Sequence, residues 1–145
     1  TAREIPIGEL PEVCWDMGDP FTNLQQGLMV AEDLIRKKPC SSPQILVITD
    51  GQPTAYLDEG ELRVEWPNGM GGVSPHAVAE TLNQVRRVTR RGITINTFML
   101  DDAPELVGFV ERMTQINHGR AFYTAPSQLG SFMMVDYVSQ RRRQR

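Results

Sequence analysis

The chain has little of what most metal and redox sites are built from. It carries two cysteines, Cys14 and Cys40, and two histidines, His76 and His118, none at zinc-ligand spacing, which excludes a zinc site made from Cys-x-x-Cys or paired histidines. No leader is visible at the N-terminus, so the two thiols are expected to be reduced and the protein cytoplasmic. No apolar run approaches the ~20 residues that span a bilayer, and no membrane partner is expected. A Gly-x-Ser-x-Gly elbow is absent, which argues against a serine hydrolase. Gly69, Gly71 and Gly72 cluster, yet no Lys-Ser or Lys-Thr follows them, so a phosphate loop is not expected and the glycines serve turns.

Positive charge is also scarce outside the C-terminus. The net charge is −3, and setting aside the +4 contributed by Arg141, Arg142, Arg143 and Arg145 leaves −7 for the rest. A nucleic-acid binder needs a basic face on its folded part, because phosphate neutralisation supplies most non-specific affinity. The body of this chain is acidic, so nucleic acid is not expected as a partner, and the arginine run reads as a solvated tail over residues 140–145.

What is present is an ordinary globular composition, 40% hydrophobic and 23% charged over 145 residues, enough for one core. Residues 1–21 show no clean period and read as an irregular lead-in. From there Leu24, Leu28, Ala31 and Ile35 recur at helical spacing, with Gln25, Glu32, Asp33 and Arg36 on the other side, and Pro39 stops the helix. The run from Gln44 to Thr49 is apolar without alternation and ends at Asp50-Gly51, which predicts a strand covered on both faces, as in a parallel sheet.

Ser74 and Pro75 have the signature of an N-cap and first helical position, Val78, Leu82 and Val85 give the stripe, and Gly92 ends that helix. A second buried strand is expected from Ile93 to Leu100. Asp102 and Glu105 have capping-box spacing before a helix lined by Leu106, Phe109, Val110 and Met113, ending near His118-Gly119. A third strand follows from Arg120 to Thr124, then a last helix from about Pro126 carrying Leu129, Phe132, Met133 and Tyr137. Such alternation predicts an α/β, Rossmann-like parallel sheet with flanking helices. It is broken once, where Ala55-Tyr56-Leu57 and Leu62 to Trp66, joined by Asp58-Glu59-Gly60-Glu61, read as an inserted β-hairpin.

Ligands of open α/β sheets collect at the carboxyl ends of strands, and Asp50 stands at that end of the most apolar strand. Its carboxylate suits a hard divalent cation such as Mg2+, which takes oxygen ligands and keeps several waters. Asp-Gly also makes turns, and Thr22 before a helix also makes caps. Asp101 and Asp102 follow the next strand and can approach the same rim, with capping preferred for Asp102. Tyr56 and Trp66 on the hairpin are either partner contacts or packing over the sheet.

The pair formed by Thr22-Asn23-Leu24 ahead of one amphipathic helix and Ile48-Thr49-Asp50-Gly51-Gln52-Pro53-Thr54 at the following strand end resembles two metal-binding segments of the von Willebrand factor A-type (VWA) domain. The resemblance runs from Thr22 to Tyr137 and is nearest to bacterial proteins of the CoxE and magnesium-chelatase subunit group. It implies residues 22–139 as a partial VWA-like domain supplying the family's fourth, fifth and sixth strands. It further implies a metal-ion-dependent adhesion site in which Thr22 and Asp50 are metal ligands, Mg2+ is the cofactor of the intact domain, and a partner's Asp or Glu fills an open metal position. MoxR-type AAA+ ATPases are the implied partners.

Two departures shape the expectation. No Asp-x-Ser-x-Ser segment occurs, and Phe21 stands where many relatives have glycine. The strand that should pair with the Gln44–Thr49 strand is therefore missing, which predicts a truncated domain whose bare sheet edge dimerises, recruits the N-terminal segment or aggregates. Two ligands rarely hold Mg2+, so a metal-free scaffold in which Thr22 caps and Asp50 turns is the alternative for this chain. A phosphoryl-transfer or hydrolytic enzyme using Asp50 is the second, and it lacks a Lys, Ser or Thr at the neighbouring strand end.

Overall fold

The structure is a computed structural model that describes residues 21–66 and 74–125. Its elements run α1 (Leu24–Lys37), β1 (Gln44–Thr49), β2 (Ala55–Asp58), β3 (Glu61–Val64), α2 (Pro75–Arg90), β4 (Thr94–Met99), α3 (Pro104–Asn117) and β5 (Ala121–Tyr123). β1, β4 and β5 form a parallel sheet in that order, with Thr49 beside Met99 and Met99 beside Tyr123 at the carboxyl rim. This is the expected α/β, Rossmann-like alternation. The expected last helix from Pro126, the lead-in before Phe21, the Gly69 to Gly72 cluster and the arginine tail lie outside the described residues.

The side-chain alternation of the strands shows where the helices sit. Ile45 and Val47 of β1 and Ile95 and Met99 of β4 share one cluster with Leu28 of α1, Val78, Leu82 and Val85 of α2, and Leu106, Phe109 and Val110 of α3. All three described helices therefore cover the same face. On the other face Leu46 and Ile48 are 41% and 45% exposed, while Asn96 and Phe98 of β4 are buried. The expectation that β1 is covered on both faces is thus corrected: that burial belongs to β4, which has a strand on each side. β1 has β4 on one side and no strand on the other among the described residues.

Helix ends supply two further corrections. Ser74 occupies the N-cap position of α2 but makes no side-chain cap; its hydroxyl donates to the carbonyl of Glu65 at 2.8 Å. The cap comes from the end of the hairpin, where the Glu65 carboxylate accepts from the backbone N–H of His76 at 2.9 Å and of Ala77 at 3.0 Å and meets His76 Nδ1 at 2.9 Å. A carboxylate at a helix N-terminus satisfies orphan donors and complements the dipole. The capping box of α3 does not form: its N-cap is Ala103, because Pro104 takes the first helical position, and Asp101 instead bonds the N–H of Ala103 at 2.9 Å.

α1 shows the same limit of periodicity. Gln25 and Glu32, expected on its solvent side, are buried because the hairpin and α2 pack on that flank. The Glu32 carboxylate is held by Gln84 Nε2 at 2.7 Å, by Arg87 Nε at 3.2 Å and by Arg91. Desolvating a carboxylate is tolerable only with such partners.

The return from α3 to the sheet is clamped by Asn117. Its Oδ1 accepts from the N–H of Ile95 at 2.5 Å, and its Nδ2 donates to the carbonyl of Ile93 at 2.9 Å and to Thr89 Oγ1 at 2.8 Å. His118 caps the helix in the left-handed conformation, with φ at 58°, and the chain then passes so close to β4 that a Cβ on Gly119 would lie 1.7 Å from the carbonyl oxygen of Ile95. Only glycine permits that approach.

Two outcomes follow from these contacts. Gly119→Ala must push backbone against backbone and should cost about 2–3 kcal/mol, read as a lowered urea midpoint with an unchanged slope. For Glu65, burial works to raise the carboxyl pKa, and the hydrogen bonds from Ala77 and His76, with the His76 charge, outweigh it, so the value falls below its ordinary 4.5. A carboxyl depressed in the folded state stabilises fully above its unfolded pKa and loses that contribution as pH falls through the folded value. Glu65→Gln should therefore unfold at lower urea than the parent at pH 7, and the gap should close as pH drops below 4.5.

Candidate functional site

Thr22 and Asp50 are far apart in sequence and are joined through the backbone that follows Asp50. The N–H of Thr22 donates to Thr54 Oγ1 at 2.9 Å, and the carbonyl of Thr22 accepts from the N–H groups of Thr54 at 2.9 Å and Ala55 at 3.1 Å. The loop leaving β1 thus returns to the entrance of α1 within four residues of Asp50. Sequence explains the geometry locally: Pro53 prevents β1 from running on, and Thr54 supplies both a hydroxyl acceptor and a backbone donor.

The bland roles open to Thr22 and Asp50 are taken by their neighbours. Asn23, not Thr22, caps α1, its Oδ1 accepting from the N–H of Gln26 at 2.9 Å. Thr49, not Asp50, closes the turn after β1, its hydroxyl donating to the carbonyl of Gly51 at 2.7 Å and accepting from the Gly51 N–H at 3.3 Å. The hydroxyl of half-buried Thr22 and the carboxylate of exposed Asp50 make no hydrogen bond or ion pair among the described residues. Beside them the Nδ2 group of Asn23 is buried without an acceptor among the described residues. A buried amide donor of this kind calls for a water, an anion or a carboxylate.

The rest of the rim is laid out by the sheet register. Thr49 O accepts from Leu100 N at 2.9 Å, so Asp50 leaves the sheet next to the exit of β4. Asp101 and Asp102 lie there, and with Met99, Tyr123 and Thr124 they border an open cleft of about 420 Å³ at the ends of β4 and β5. Among the described residues no three His, Cys, Asp or Glu side chains form a group able to hold a metal ion, so the three aspartates do not make one together. Asp101 is committed to the Ala103 N–H.

For Mg2+ the test is one of donor chemistry. A hydroxyl and a carboxylate, both without partners among the described residues and both in the segments joined by the Thr22 to Thr54 bonds, are the hard oxygen donors that this ion takes. They fit it in kind and supply two positions, the remainder being for waters and a ligand from outside.

The sequence singles out Thr22 and Asp50 and does not point to Asn23, Thr49 and Thr54, which supply the cap, the turn and the anchor beside them. The signal was there in the Thr-Asp-Gly and Thr-Asn order, where the hydroxyl or amide next in the chain satisfies the backbone.

Comparison with known proteins agrees with the fold. The chain is 28% identical to the uncharacterized protein Rv0959 of Mycobacterium tuberculosis and to the uncharacterized protein Mb0984 of Mycobacterium bovis, in each case over 98% of this chain and 21% of the relative. It therefore spans about a fifth of the length of these relatives. No solved structure matches it. The family described as Rv0959-like protein, vWA domain, matches residues 1–138, nearly the whole sequence, and the chain belongs to that family.

Proposed function

We propose that this domain is a protein-interaction module, not an enzyme, and that its ligand corner is formed by Thr22, Asp50 and Asn23 around a Mg2+ ion. The observation that carries the reading is the triple hydrogen bond between Thr22 and the Thr54-Ala55 segment, which brings a hydroxyl to the loop of a carboxylate, neither of them partnered among the described residues. Bound there, the ion would supply a concentrated positive charge with an open coordination position for a carboxylate.

The protein residues do the rest. Asp50 contributes the countercharge, Thr22 a neutral oxygen that leaves the site net positive toward a ligand, and the Asn23 amide a donor for an incoming oxygen. An Asp or Glu side chain of a partner protein is the ligand these groups suit. A partner of the MoxR-type AAA+ ATPase class, and a place near the CoxE and magnesium-chelatase subunit group, belong to the same proposal.

Calorimetric titration with Mg2+ and Mn2+ tests the corner, on this chain and on the full-length protein. Binding in the roughly millimolar range is expected, abolished by Asp50→Ala and weakened about ten-fold by Thr22→Ala. Both variants should keep the parent melting temperature, since neither side chain is bonded among the described residues. Absence of binding heat in both proteins, or equal heat from Asp50→Ala, sinks the reading.

A further inference from the structure

We propose that the end of the domain opposite Asp50, where α1 and α2 finish, is a docking site for an acidic segment of a partner protein. Such a segment seats an apolar side chain in the cleft lined by Ile35 and Ile93 and sets Asp or Glu side chains on the lysines and arginines around it.

The topology gathers charge that the acidic total of the chain conceals. α1 leads into β1 and α2 into β4, and those strands are parallel. Both helices therefore run the same way and end together at the amino edge of the sheet, where Thr94 N donates to Pro43 O at 3.1 Å. Residues 34–44 and 87–94 contain no acid and carry Arg36, Lys37, Lys38, Arg87, Arg90 and Arg91, all of them exposed. The end of α3 reaches the same edge through Asn117, and residues 112–120 add no acid. The two carboxylates nearby are Glu32, which takes Arg87 and Arg91, and Asp33, which takes Arg36 at 3.1 Å. Cations in the last turn of a helix complement its dipole, but Lys38 and Arg91 stand at the C-caps. Lys37, Lys38 and Arg90 have no carboxylate among the described residues. With Asp50, Asp101 and Asp102 on the carboxyl rim, the domain has one acidic end and one basic end.

No undescribed segment joins the chain at the basic end. Residues 1–20 enter at Phe21, beside the Thr22 to Thr54 bonds. Residues 67–73 leave from the hairpin and return at Ser74, ahead of α2. Residues 126–145 follow Ala125, just after Thr124 N has bonded Met99 O at 3.0 Å on the rim. These attachment points are a helix length from the basic end, about 21 Å for the 14 residues of α1.

The cleft at this end gives the occupant its character. About 280 Å³ in volume, it is bordered by Ile35, Pro39, Pro43 and Ile93, with Arg36 and Arg91 among its polar residues. Apolar walls within reach of guanidinium groups suit an aliphatic side chain flanked by carboxylates. A nucleic acid fits less well. No aromatic ring lines the cleft for a base to stack on, and helix C-termini present carbonyls, not the N–H groups that hold a phosphate. A second copy brings its acidic rim only against the repulsion of two bodies that each carry −7 outside the arginine tail.

The test uses fluorescent blocked peptides in a buffer containing EDTA, so that metal plays no part. One has a central leucine flanked by aspartates and glutamates, a second has serine for the leucine, and a third has lysine for every acid. Anisotropy should show saturable binding of the acidic leucine peptide, about ten-fold weaker binding of the serine peptide, and none of the lysine peptide. Salt at about 1 M, where the screening length is about 3 Å, should remove the binding. The triple variant Lys37→Glu, Lys38→Glu, Arg90→Glu should weaken it about ten-fold, and Gln at the same three positions should weaken it by less. Bound peptide should slow alkylation of the exposed Cys40, which lines the cleft, as read by peptide mapping. Equal binding of the acidic and lysine peptides, undiminished binding of the serine peptide, or full binding by the triple variant overturns the proposal. So does an unprotected Cys40 in the complex, tighter binding of an oligothymidylate, or a salt-sensitive dimer that excludes the peptide. Asp50→Ala leaves the expected result unchanged, which separates this end from the Mg2+ corner.

Discussion

The Thr22 peptide unit holds three parts of the molecule in place at once. Its N–H and C=O bind Thr54 and Ala55, and those contacts fix the entrance of α1, the exit of the β1 loop and the base of the hairpin. Helix and hairpin then share Gln25, whose amide is positioned only because α1 begins where it does. The positions of the Asp50 loop and of the hairpin both depend on a backbone anchor that carries no chemistry of its own.

Much of this was legible from residue order. The apolar run ending at Asp50, the stripes of α1, α2 and α3, and the hairpin with its Glu59-Gly60 turn are local patterns, and local patterns survive folding. Less legible were residues whose role is set by a distant partner. Gln25 and Glu32 look like solvent positions because the α1 stripe is drawn for one buried face, and the helix has two. Glu65 caps a helix that begins ten residues later, beyond any capping-box spacing. Thr22 and Asp50 stand out as a pair only through the family resemblance, and periodicity could not show that Asn23 caps α1 or that Thr49 closes the turn after β1.

The sheet separates two kinds of strand that look alike on paper. β1 and β4 are both six residues long, yet β4 has a strand on each side and is buried from Ile95 to Met99, whereas β1 exposes Leu46 and Ile48. Position in the sheet, not composition, makes that difference. Among the described residues no strand lies on the outer side of β1.

Glu32 has a mechanical meaning beyond its own burial. Arg87 and Arg91 stand one turn apart on α2 and close on a single carboxylate of α1. Sliding α1 along α2 by one residue, about 1.5 Å, would draw that charge out of its pincer, and stripping a buried charge of its partner costs about 3–5 kcal/mol. The two helices are thereby pinned against translation along one another at the end of α1 far from Thr22.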